Sequence, residues 1–125
     1  MLPEPYRLRR RVDFSATVRR GRRMGRRDLV VHALERGQAE SLVSHGGPRF
    51  GLVVSKAVGP AVIRHRVARR FRHICAGLVD TVPVDTDVVI RALPGSATAS
   101  SQELDKQLRS VLEKLNLLAG AGTPA

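Results

Sequence analysis

The spacing of apolar residues predicts two long amphipathic helices. Between residues 60 and 78, apolar side chains recur every three or four positions, while Arg and His occupy the opposite face. The second periodic stretch follows Ser100-x-x-Glu103, a capping-box pattern, and continues to about residue 118. Each helix therefore has one apolar face to bury, which indicates a packed domain.

Three runs of apolar residues, each rich in valine or leucine, predict strands at 29–34, 50–54 and 87–93. We expect the first two to pair in antiparallel fashion across a long loop at 37–48. The strand–helix–strand passage from 49 to 93 should place its two strands side by side in parallel. The residues alone therefore predict an α+β domain with one sheet.

The start of the chain predicts a short helix between Asp13, as its N-terminal cap, and Gly21, as its end. Residues 1–11 contain two prolines and four arginines, which favours an extended basic arm. Residues 119–125 are expected to fray. The length of 125 residues indicates one domain, residues 1–125, rather than two.

The charge of the chain is unusual for a globular protein of this size. It holds 22 Lys and Arg against 11 Asp and Glu, a net charge of +11. Residues 1–75 hold 18 cations and 5 acids, whereas residues 76–125 hold 4 and 6. The guanidinium fork of Arg suits phosphate groups, and most of the cations are Arg. The N-terminal three-fifths of the chain therefore predicts a polyanionic partner.

Candidate catalytic and metal-binding residues are few. The acids at turns and strand starts have structural explanations, and the histidines lack ligand-like spacing, so we predict neither a catalytic residue nor a metal site in the protein. The single cysteine, Cys75, excludes an internal disulfide. With no secretory signal and no apolar stretch near ~20 residues, a cytoplasmic location without membrane contact is expected. The acids and histidines considered are Asp13, Asp28, Asp85, Asp87, His32, His45, His65 and His73.

One segment combines the end of a strand, a glycine turn and an Arg-rich helix. Its residues are Ser55-Lys56, Gly59, Ala61-Val62, Arg64-His65-Arg66, Arg69 and Arg72. The segment resembles the signature of the bacterial ribonuclease P protein subunit, in which the triplet is Arg-Asn-Arg. The likeness also covers Arg7-Leu8-Arg9 followed by Asp13-Phe14, and it extends over about residues 7–118.

The resemblance implies a fold and a function. The fold would be one four-stranded sheet with three helices, in the order αβββαβα, with a left-handed strand–helix–strand crossover. The function would be that of a protein subunit without its own active site. A catalytic RNA, using Mg²⁺ held mainly by that RNA, would remove the 5′ leader of precursor tRNA. The partners would be this RNA and precursor tRNA, with no obligate protein partner.

The resemblance also assigns two sets of residues. The RNA-subunit set is Arg64, His65, Arg66, Arg69, Arg70 and Arg72. The leader set is Phe14, Val18, His32 and Lys56, where Val18 and His32 replace the family's common aromatic and Tyr. A ribosomal or general RNA-binding protein is the alternative. A DNA-binding regulator has less support, because no helix-turn-helix partner precedes the 60–78 helix.

Overall fold

The structure is a computed structural model that describes residues 2–36 and 47–118. Within these residues the element order is αβββαβα, as the resemblance implied. The α-helices are α1 (Arg11–Arg20), α2 (Ala61–Ala76) and α3 (Ser101–Lys114), and the strands are β1 (Arg22–Gly25), β2 (Leu29–Glu35), β3 (Arg49–Val53) and β4 (Thr86–Ala92). Short 3-10 helices lie at Glu4–Tyr6 and Pro94–Ala97.

The four strands form one mixed sheet in the order β1-β2-β4-β3. β3 and β4 run parallel, which confirms the prediction for the strand–helix–strand passage. The expected antiparallel pair of β2 and β3 is wrong, because β4 lies between them and pairs with both. The reason is the apolar run Val88-Val89-Ile90, which is fully buried and therefore suits a central strand covered on both faces.

β1 is the fourth strand that the resemblance implied and that the pattern of apolar residues does not predict. Its four residues pair with β2, from Arg22 opposite Ala33 to Gly25 opposite Val30. β1 is short, charged and at the edge of the sheet, features by which proteins protect an exposed edge. Its arginines conceal the alternation of apolar residues that normally reveals a strand.

The two faces of the sheet carry different layers. On one face, α2 and α3 pack over the main core, whose fully buried side chains include Phe71, Leu104 and Leu108. α1 covers part of the other face, where the ring of Phe14 lies directly against Gly51 of β3. A side chain at Gly51 would collide with that ring, so the glycine permits the close approach. The sheet therefore separates the core from a second surface beneath α1.

The N-terminal residues, predicted as an extended basic arm, are docked against the sheet. Leu2 and Leu8 are buried, and the Leu8 N–H donates to the Phe50 carbonyl at 2.9 Å. Arg7 forms a parallel β-bridge with Phe50. The two leucines supply the apolar surface that holds this segment against β3.

The predicted end of α1 and start of α3 agree with the structure, whereas α3 ends at Lys114 instead of continuing to about residue 118. Gly21 directly follows α1, and both capping-box hydrogen bonds of Ser100 and Glu103 are present. The prediction that Asp13 caps α1 is wrong: the N-cap is Arg10, and the Asp13 carboxylate instead faces Arg49 at 3.4 Å. An ion pair to the sheet has replaced the local cap. Residues 37–46 of the predicted loop and the predicted frayed end at 119–125 lie outside the described residues.

Candidate nucleic-acid interface

α2 is the helix with one buried and one cationic face. Gly59 precedes it with a φ of 153°, a conformation that suits glycine, and a side chain there would press on Ile63. The buried face consists of Val67, Phe71, Ile74 and Cys75. All six predicted RNA-subunit residues lie on the remaining surface of this helix: His65, Arg66 and Arg69 are exposed, and Arg64, Arg70 and Arg72 are half-buried. We call these six residues the α2 cationic face.

Backbone carbonyls hold three of these arginines in place. Arg66 donates to the Ala97 carbonyl at 3.0 Å, Arg70 to that of Ala99 at 2.8 Å, and Arg64 to that of Gly59 at 3.2 Å. In the described parts of the chain, no salt bridge to an acid involves any arginine of this face. Because a carbonyl accepts one N–H without cancelling the charge, each guanidinium keeps donors for an anion.

The predicted leader residues lie in two places. The register aligns Gly51 of β3, Val89 of β4 and His32 of β2 in one row across the sheet. Since residues in one row point to the same face, His32 lies on the face that Phe14 covers. Val18 follows Phe14 by one turn of α1 and is half-buried. Lys56 is exposed in the turn after β3.

His32 is the most unusual side chain of this second surface. It is only 4% exposed, and neither ring nitrogen has a hydrogen-bond partner among residues 2–36 and 47–118. Burial lowers its pKa, and the charges of Arg91 and Arg23 lower it further. The ring is therefore neutral at pH 7 and keeps one donor and one acceptor unused.

Arg23 and Arg91 extend this surface, and the sequence prediction did not include them in either set. Arg23 is paired with His32 in the sheet, and Arg91 is two residues from Val89, so both point to the face beneath α1. Both are exposed. The sequence could have revealed Arg91 as a candidate binding residue, because it is the only charged residue between two buried positions of an apolar run. The register of β1, which places Arg23, is not readable from the sequence.

The acids and the cysteine have structural surroundings. Asp87 is paired with Arg36 and Arg49, and Asp28 is paired with Arg27. Burial raises the pKa of the Cys75 thiol far above its usual range, so it stays protonated. Among the described residues, no group of three or more His, Cys, Asp or Glu side chains is placed to hold a metal ion. The same part of the chain contains no helix long and apolar enough to cross a membrane.

Comparison with known proteins identifies the family. The family model for ribonuclease P matches residues 2–116. The chain belongs to the bacterial ribonuclease P protein family. The ribonuclease P protein component of Rhodococcus jostii is 77% identical over the full length of both chains. That of Corynebacterium diphtheriae is 50% identical over 93% of this chain and 98% of its own, and that of Mycobacterium avium 48% identical over 98% and 99%.

Solved ribonuclease P proteins share the fold. The Staphylococcus aureus protein superposes with a TM-score of 0.75 over 90% of this chain and 97% of its own, at 22% identity. The Thermotoga maritima protein gives 0.71 over 86% and 96%, also at 22% identity. The family's α+β architecture, three helices and a four-stranded mixed sheet, is therefore the architecture of this chain.

Proposed function

We propose that this chain binds the catalytic RNA of ribonuclease P through the α2 cationic face and holds the 5′ leader of precursor tRNA beneath α1. The observation that carries the first part is the set of arginines fixed by backbone carbonyls and unpaired with acids in the described structure. Such a face offers oriented donors and undiminished charge to a phosphate backbone.

The leader part of the proposal rests on the surface beneath α1. This surface combines the half-buried ring of Phe14 with the exposed charges of Arg23 and Arg91, and beneath it lies the buried ring of His32, whose nitrogens have no partner among the described residues. Single-stranded RNA is bound by such combinations, because bases stack on rings while cations contact phosphates.

The division of labour in the proposal assigns cleavage to the RNA. The RNA subunit, with Mg²⁺ that it mainly holds itself, supplies the hydrolytic chemistry, and this chain supplies binding and orientation. Asp28 is paired with Arg27, and Asp87 with Arg36 and Arg49, so both carboxylates have structural partners. Membership of the ribonuclease P family favours this role over that of a ribosomal or general RNA-binding protein.

The α2 cationic face can be tested by its contribution to salt-dependent binding. Replacing Arg64, Arg66, Arg69 or Arg72 singly with Ala should weaken binding to the RNA subunit and reduce the slope of log K against log salt by about 1. Titration of the labelled RNA at several salt concentrations measures the slope. Arg109→Ala is the matched control, since Arg109 lies on α3 paired with Asp105, and its slope should equal that of the wild type. Unchanged slopes in all four variants would remove the proposal.

The leader surface can be tested with Phe14→Ala. A base stacked on the ring is worth about 1–3 kcal/mol, so the reconstituted enzyme should bind leader-bearing tRNA roughly tenfold more weakly, about 1.4 kcal/mol. Its affinity for leaderless tRNA should stay the same. Val12→Ala, on the exposed side of the same helix, is the matched control and should bind both tRNAs normally. An equal loss for both tRNAs, with a large fall in melting temperature, would assign Phe14 to packing alone.

A further inference from the structure

A cleft of about 260 Å³ lies beside the edge strand β3, where the docked N-terminal segment meets α1 and α2. Three arginines line it: Arg7 and Arg9 from the N-terminal segment and Arg72 from α2. Phe14 and Leu52 contribute apolar surface, and none of the described lining residues is acidic. Cations from two distant parts of the sequence therefore converge on one concave surface.

Docking of the N-terminal segment creates this convergence. Leu8 is buried and bonded to Phe50, which fixes its neighbours Arg7 and Arg9 at the cleft. Nε of Arg7 donates to the Leu2 carbonyl at 2.8 Å. This bond leaves the other two nitrogens of the guanidinium to contact other partners. The two leucines thus position two charges that a free arm would leave unplaced.

The three guanidiniums are available to a ligand to different degrees. Among the described residues, no hydrogen bond or ion pair involves Arg72. Arg9 contacts Glu4 at 2.8 Å, but both side chains are more than half exposed. Exposed ion pairs contribute little, so a phosphate can replace the Glu4 carboxylate. A guanidinium fork matches two phosphate oxygens, which favours a phosphodiester as the ligand.

We propose that this cleft binds one backbone phosphate of the RNA subunit, contacted jointly by Arg7, Arg9 and Arg72. The proposal rests on the proposed function, because Arg72 belongs to the α2 cationic face and the cleft continues that face toward the N-terminus. It extends the RNA-binding surface to a segment that neither residue set includes. Phe14 and Gly51 also line the cleft, so it borders the leader surface beneath α1. Arg72 belongs to the α2 cationic face, and on that ground the phosphate is assigned to the RNA subunit, whose binding is measured without precursor tRNA.

A double-mutant cycle on binding of the RNA subunit tests the shared phosphate. Arg7→Gln and Arg72→Gln should each reduce the salt slope of RNA binding by about 1. The double variant should also lose only about 1, because the two single variants and the double variant all lose the contact with the same phosphate. The control cycle joins Arg7→Gln with Arg64→Gln. Arg64 lies two turns before Arg72, so it contacts a different phosphate and the double variant should lose about 2.

Arg9→Gln is the control for unfolding of the N-terminal segment, because it leaves the Arg7–Leu2 hydrogen bond in place. It should keep the wild-type melting temperature and show the same non-additivity with Arg72→Gln. If the slope losses in the cycles with Arg72 are additive, as they should be in the cycle with Arg64, the three arginines do not share a phosphate. The proposed function would still stand. Wild-type slopes in both Arg7→Gln and Arg9→Gln would also overturn the cleft and leave the proposed function intact. If Arg64→Gln and Arg72→Gln also bind normally, the proposed function fails with the cleft.

Discussion

Replacing Asp87 with Ala should lower the free energy of unfolding by about 3–5 kcal/mol. The Asp87 carboxylate is 3% exposed and accepts from Arg36, which is equally buried, and from Nε and Nη2 of Arg49 at 2.8 and 2.7 Å. Without Asp87, the guanidinium of Arg36 would stay buried with no carboxylate beside it. Urea denaturation followed by circular dichroism measures the loss.

The control for Asp87 is Asp105→Ala, which removes an exposed carboxylate paired with Arg109 on α3. Such a pair contributes only about 0.3–0.5 kcal/mol. Replacing Asp87 and Arg36 together with apolar residues should cost less than the Asp87 variant alone, because no buried charge then remains unpaired. If Asp87→Ala lowers the free energy of unfolding no more than Asp105→Ala does, Asp87 does not stabilise the fold through its buried ion pairs.

Replacing Phe71 with Ala should also lower the free energy of unfolding by about 3–5 kcal/mol. Phe71 is fully buried at the centre of the apolar face of α2 and is among the largest side chains of the core. Val62 on the same helix is 76% exposed, and Val62→Ala should change stability by no more than about 0.5 kcal/mol. Similar losses for the two variants would show that α2 does not pack as described.

Variants of Phe71 also distinguish folding from RNA binding on the helix that carries the α2 cationic face. Phe71→Ala should reduce binding of the RNA subunit only where the protein begins to unfold, and its salt slope should match that of the wild type. The arginine variants should behave in the opposite way, with altered slopes and near-normal stability. The two faces of α2 would then have distinct roles.

The sequence predicts those parts of the fold that depend on local patterns. The periodicity of α2 and the capping box of α3 are local, and both agree with the structure. Strand pairing depends on contacts between distant residues, so the position of β4 between β2 and β3 followed only from the structure. The apolar pattern does not predict β1, because its arginines give it no apolar alternation. The resemblance implied a fourth strand, and the pairing with β2 places it.

The candidate site was predictable to a similar extent. The α2 cationic face follows from helical spacing and the family signature, and the structure places all six residues there. Phe14 and His32 are 18 residues apart in sequence, and only the sheet register shows that they occupy one face. The sequence predicts an extended arm for the segment that contains Arg7 and Arg9. Their convergence with Arg72 depends on the burial of Leu2 and Leu8, which no local pattern reveals.

The most direct test of the central claim is reconstitution of precursor-tRNA cleavage at physiological salt with Mg²⁺. The chain, the RNA subunit and the two together are each incubated with leader-bearing tRNA, and the released 5′ leader is quantified. We predict that the chain alone releases no leader and that adding it to the RNA subunit restores cleavage. Leader release by the RNA-free chain, lost on replacing Asp85 or Asp87 in a variant that still folds, would contradict the account.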